Sequence, residues 1–167
     1  MKKLFFLFAF LGAIFFSNAI HAQEYKSAIG LRLGYPVSIS YKTFISESNA
    51  VELFAGYRSY GGFSGFGFNS IHLGAAYQIH KPINGVDGLQ WYYGFGASAI
   101  INNYGNAYYD NYGKIGVGIS GYLGLDYKFP NTPISLTADW VPTYVVGDFY
   151  YNSFQTYGAL AVRYVLN

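Results

Sequence analysis

The chain has 167 residues, enough for one domain, of which 22% are aromatic, only 11% are charged and none is cysteine. Soluble domains carry about 25% charged residues. Without cysteine there is no disulfide, thiolate metal site, cysteine nucleophile or lipoprotein anchor, and ten basic against eight acidic residues form no basic patch for nucleic acid.

The first element is an export signal. Lys2 and Lys3 precede the unbroken apolar run Leu4 to Phe16, which is too short to span a bilayer as a helix. Ser17 to Ala22 reads as the cleavage region, with Ala22 at the −1 position and Ala19 as the second choice. This predicts a Sec-type signal peptide at 1–22 and a single domain at 23–167. Removing Lys2 and Lys3 from the ten basic residues leaves eight of each sign. The mature chain has no segment long and apolar enough for a transmembrane helix, so membrane insertion would require a closed barrel.

From Ala28 onward, apolar residues alternate with small or polar ones. A strand puts alternate residues on opposite faces. The pattern predicts eight strands, at about Ala28–Tyr35, Val37–Phe44, Ala50–Tyr60, Ser70–His80, Leu89–Asn102, Ile115–Phe129, Ile134–Val141 and Tyr157–Leu166. The sixth is representative: Ile115, Val117, Ile119, Leu123, Leu125 and Tyr127 share one face, with Gly116, Gly118, Ser120 and Asp126 on the other. The polar face is mostly Gly, Ala and Ser, too poor in charge for the outside of a soluble barrel. The reading that fits is an eight-stranded antiparallel up-and-down transmembrane β-barrel, with its greasy face to lipid and its small and polar face to the lumen. A secreted, lipocalin-like barrel with the greasy face inside uses the same alternation and is the alternative fold.

The connections sort into two sets. Ser46 to Asn49, Lys81 to Gly85 and Pro130 to Pro133 are short and rich in turn residues, as expected on the periplasmic side. Gly61–Asn69, Asn103–Gly113 and Pro142–Gln155 are longer and rich in Gly, Tyr, Phe and Asn, as expected outside; the Tyr35-Pro36 connection is unusually tight. In this topology Tyr77, Trp91, Tyr93, Tyr127, Phe129 and Tyr164 form an aromatic girdle near the periplasmic ends, and Tyr35 and Tyr57 begin an outer one.

The signal peptide, the alternating strands and the final strand Ala159 to Asn167 resemble the small eight-stranded outer-membrane β-barrel proteins of Gram-negative bacteria, OmpA/OmpX-like in the broad sense. The last strand is similar to the C-terminal signal read by the outer-membrane assembly machinery, with Leu166-Asn167 in place of the usual terminal aromatic. The resemblance covers the whole mature chain. It implies an outer-membrane location, contact with outer-membrane lipid and lipopolysaccharide, and no cofactor.

The lumen side of the pattern carries Arg32, Lys42, Glu52, Arg58, His72, Asp126, Lys128, Asp139 and Arg163. An eight-stranded barrel is wide enough only for its own side chains or one small ligand. Buried charges must pair, so these residues are expected to form an internal network that fills the barrel. A proton or ion path is the competing use. Asp126, Asp139 and Arg163 stand on consecutive strands and are expected to cluster. Ser70 and His72 share one face of the fourth strand and are weak candidates for the nucleophile and base of a lipid A acyl-modifying enzyme, with no evident acid to orient the imidazole. His72 and His80 also share that face, but eight residues of strand separate them by roughly 26 Å, too far to share a metal. The sequence therefore favours a non-enzymatic barrel with a role in envelope integrity or surface interaction through its Tyr-rich loops. The alternatives are the acyl-modifying enzyme and a narrow pore or carrier for small hydrophobic molecules.

Overall fold

The computed structural model describes residues 25–34, 36–60, 68–104, 115–147 and 153–166. The expected signal peptide at 1–22 and the tips of the three long connections lie outside these residues. The described chain forms eight strands: β1 (Ser27–Leu33), β2 (Val37–Phe44), β3 (Asn49–Tyr60), β4 (Phe68–Pro82), β5 (Leu89–Tyr104), β6 (Ile115–Lys128), β7 (Ile134–Val146) and β8 (Phe154–Leu166). Each pairs antiparallel with the next, and β8 closes on β1 (Ser27 opposite Leu166, Leu33 opposite Leu160), so the sheet is a closed barrel without edges.

Period-two alternation sets the register. Residues with branched and aromatic side chains point outward, including Leu31 at 55%, Ile39 at 59% and Phe95 at 67% exposure. Arg32, Ser40 and Ser98, on the opposite face of the same strands, point inward and are buried. The interior is therefore more polar than the exterior, the reverse of a soluble fold. This excludes the lipocalin-like arrangement expected as the alternative, because the greasy face is outside.

Several boundaries differ from the sequence reading. β1 stops at Leu33 rather than Tyr35. β4 runs on to Pro82, which gives Lys81 a half-buried outward position in the last rungs beside the turn. A lysine there reaches water along its own stem. The larger change is in the last hairpin. β7 continues to Val146 and β8 begins at Phe154, so half of the expected Pro142–Gln155 loop is strand. Pro142 hid this extension. It interrupts the β6–β7 ladder between Ser120–Thr143 and Leu123–Trp140, yet the register is the same on both sides. Gly121, the one gap in the greasy face of β6, lies opposite: a Cβ there would sit 3.5 Å from the proline ring.

At Gly30 the close approach of the neighbouring strand demands a glycine. A Cβ on Gly30 would lie 2.0 Å from the Val162 carbonyl oxygen, so the β1–β8 seam closes only around a residue without one. At the turn end, Asn131 takes φ 63°, a left-handed conformation that asparagine tolerates.

Candidate functional site

The lower lumen, toward the short turns, is filled by a lattice of charged side chains to which all eight strands contribute. Arg163 on β8 is its hub. It donates from Nε to Ser40 Oγ at 2.9 Å, from Nη1 to Thr137 Oγ1 at 3.0 Å, and from Nη2 to the carboxylate of Glu52. Glu52 also accepts from Gln78 Nε2 at 2.7 Å. Arg32 Nη2 donates to Asp139 Oδ1 at 2.8 Å, and the other carboxylate oxygen accepts from the Tyr92 hydroxyl at 2.5 Å. Lys42 Nζ donates to Asp126 Oδ2 at 2.8 Å, and the His80 ring nitrogen Nε2 lies 3.6 Å from that oxygen.

Three cations, Arg32, Lys42 and Arg163, thus face three carboxylates, Glu52, Asp126 and Asp139. An ion moved out of water costs several kcal/mol unless pairing and hydrogen bonds compensate it. Here each carboxylate has a cation and a neutral donor. Aromatic rings complete the packing: Lys42 Nζ is 4.5 Å from the Tyr92 ring centre, and Arg32 lies 5.6 Å from that of Tyr122.

An apolar seal closes the lattice at the end with the short turns. Tyr25, Ala28, Phe44, Ala50 and Val165 form one buried cluster. Tyr25 precedes β1, packs edge-on against Phe44 with ring centres 5.1 Å apart, and donates its hydroxyl to Asp126 Oδ2 at 2.8 Å. Burial and the adjacent Asp126 carboxylate push its phenol well above the usual tyrosine range.

Four expectations from the sequence are corrected here. The cluster of Asp126, Asp139 and Arg163 does not form. On the β7–β8 ladder Arg163 is level with Ser135, and Asp139 is level with Ala159, so stagger separates them and gives Arg163 to Glu52. Lys128 is not in the lumen network. It stands at the end of β6 and donates to the carbonyls of Phe129 and Thr132, 2.7 Å each, capping the turn. Arg58 points into the lumen but at the other end, where Nη1 donates to Gln155 Oε1 at 3.1 Å and the Tyr157 hydroxyl at 2.8 Å. Gln155, expected in a loop, and Tyr157, expected to begin the eighth strand, are both inward residues of β8.

Sequence reasoning missed three members of the lattice. His80 and Tyr92 have the same parity as the inward Gln78 and Gln90, which was the available signal. Tyr25 lies outside any strand and gave none.

Ser70 and His72 sit together in the outer lumen, with Ser70 Oγ 3.0 Å from His72 Nε2. Ser70 is fully buried, and among the described residues no carboxylate contacts the imidazole. No group of His, Asp and Glu among the described residues has the geometry of a metal site. Tyr77, Trp91, Tyr93, Tyr127 and Tyr164 lie on the outward face, and Phe129 follows β6 at the turn. Trp91 stacks on Tyr93 at 5.6 Å, and Tyr127 meets Phe129 edge-on at 4.7 Å.

No protein-family model matches the chain, and no curated protein does. Solved structures do. Neisserial surface protein A (NspA) is similar with a TM-score of 0.57 at 13% identity, over 84% of this chain and 93% of that one. A de novo designed transmembrane β-barrel is similar with a TM-score of 0.50 at 13% identity, over 88% of this chain and 100% of the design. CarO of Acinetobacter baumannii has a TM-score of 0.46 at 10% identity, over 83% of this chain and 97% of that one. At these identities the likeness is one of fold: an eight-stranded transmembrane β-barrel.

Proposed function

We propose that the chain is an outer-membrane barrel that does not conduct solutes, and that its role is structural or a matter of surface interaction. The observation that carries this reading is the filled lower lumen. A charge-balanced lattice drawn from every strand, sealed by Tyr25 and Phe44, leaves no route for a solute through that half of the barrel. The likeness to a neisserial surface protein supports the location. The C-terminal strand would engage the outer-membrane assembly machinery, and the outward aromatics near the turn end would sit in the lipid headgroup zone. The connections rich in Tyr, Gly and Asn would supply contact area for a surface ligand at small entropic cost.

Ser70 and His72 fit a structural use better than acyl transfer. A nucleophile must meet its substrate, and Ser70 is wholly enclosed. Planar-bilayer recording of the purified barrel tests the main reading. No conductance steps are expected, and steady single-channel currents from the wild-type chain would contradict it.

A further inference from the structure

Of the described outward positions on the eight strands, Lys81 alone carries a charge; the others are apolar, small or neutral. Lys81 stands on the last rungs of β4, directly opposite Trp91 on β5. Side chains opposite each other on one face of a sheet are within reach. The next pair on that face is Ile79 with Tyr93, and the Trp91 and Tyr93 rings are stacked 5.6 Å apart. A cation and two aromatic rings thus share one outward patch at the short-turn end.

No ion pair among the described residues includes Lys81. The carboxylates of Glu52, Asp126 and Asp139 are taken inside the lumen, and Asp87, in the turn after β4, is exposed. The neighbouring cation Lys128 is spent on the carbonyls of its own turn. An ammonium has three donors and no acceptor, so at the edge of a hydrocarbon belt it calls for an anionic oxygen. Its stem carries it to the headgroup layer, which indole and phenol rings also prefer. The anionic oxygens of that layer are phosphates.

We propose that Lys81, Trp91 and Tyr93 form a binding site for the phosphodiester of an anionic phospholipid in the leaflet at the short-turn end. The proposal rests on the reading of the chain as an outer-membrane barrel. The Lys81 ammonium holds the phosphate, and the stacked rings flank the glycerol and the first acyl carbons. A zwitterionic headgroup brings its own ammonium, which competes for the phosphate. An anionic headgroup does not, so the site selects lipids by net charge.

Trp91 and Trp140 are the two tryptophans of the chain, so Trp140→Phe leaves a single reporter beside Lys81. The test is quenching of Trp91 fluorescence in phosphatidylcholine vesicles that contain an equal minor fraction of brominated phosphatidylglycerol or brominated phosphatidylcholine. One lysine at an anionic lipid surface corresponds to an enrichment of about fivefold. The anionic quencher should act as if enriched to that degree, Lys81→Gln should abolish the preference, and Lys81→Arg should keep it. Equal quenching by the two lipids would overturn the proposal. A preference that survives in Lys81→Gln would place the anionic lipid elsewhere and overturn it equally. Loss of the preference when sodium phosphate replaces sodium chloride at equal ionic strength would assign the patch to free phosphate, which also overturns it. Quenching by neither lipid would mean that the chain does not enter the bilayer, and the barrel reading itself would fall with the site.

Discussion

Arg163 and Glu52 meet across the lumen from β8 and β3, strands that share no ladder. Their pairing is therefore a contact of the closed barrel and not of any hairpin. Around it, Gln78 holds Glu52 and Thr137 holds Arg163, so the pair ties β3, β4, β7 and β8 together.

Replacing one member should expose that coupling. Glu52→Gln keeps the shape and removes the charge, leaving Arg163 without its carboxylate in a buried site. Breaking a buried pair from one side costs about 3–5 kcal/mol. Urea unfolding in phospholipid vesicles should show a loss of that order. A variant as stable as wild type would mean that water compensates Arg163.

The seal makes a prediction with a pH dependence. Tyr25→Phe deletes the hydroxyl that donates to Asp126, worth about 1.5–3 kcal/mol for a bond to a charged group. The folded state holds the Tyr25 phenol above its ordinary value of 10.0, so it favours the protonated form. The stabilisation is complete below pH 10 and declines as pH rises beyond it, because the unfolded phenol ionises first. The stability difference between wild type and Tyr25→Phe should be flat from pH 7 to 9 and shrink above 10. A gap that widens above pH 10 would contradict the assignment.

How much of this was legible in the sequence follows from which interactions are local. Alternation is local, so strands, faces and the inward position of Arg32, Glu52 and Arg163 could be read directly. Partners depend on stagger. Asp139 and Arg163 stand on neighbouring strands, yet Asp139 is level with Ala159 and Arg163 with Ser135. Strand ends were hidden where local chemistry misleads, as at Pro142, which reads as a loop but sits inside β7. Tyr25 belongs to no periodic segment, so only the closed barrel reveals its seat over Phe44.

The outward face should resist charge. Leu123, 49% exposed, lies in the middle of β6 opposite Trp140. Leu123→Arg should cost about 2–4 kcal/mol in vesicles, the expense of arginine near the bilayer midplane. An effect below about 0.5 kcal/mol would argue that this face does not meet lipid.

Trp140 and Thr156 form a polar contact on the same face. The indole Nε1 donates to Thr156 Oγ1 at 2.6 Å. Thr156→Val should cost about 0.6 kcal/mol and no more than about 1.7, the span found for side-chain hydrogen bonds in membranes. The tryptophan emission maximum of a Trp91→Phe background would report whether the indole changes surroundings.

Electrophoretic mobility of the outer-membrane fraction, boiled and unboiled, tests the central claim most directly. A lipid-facing barrel locked by its interior lattice should appear in that fraction and migrate as a compact band until boiled. Recovery from the soluble periplasm or the medium, with one mobility in both conditions, would contradict it.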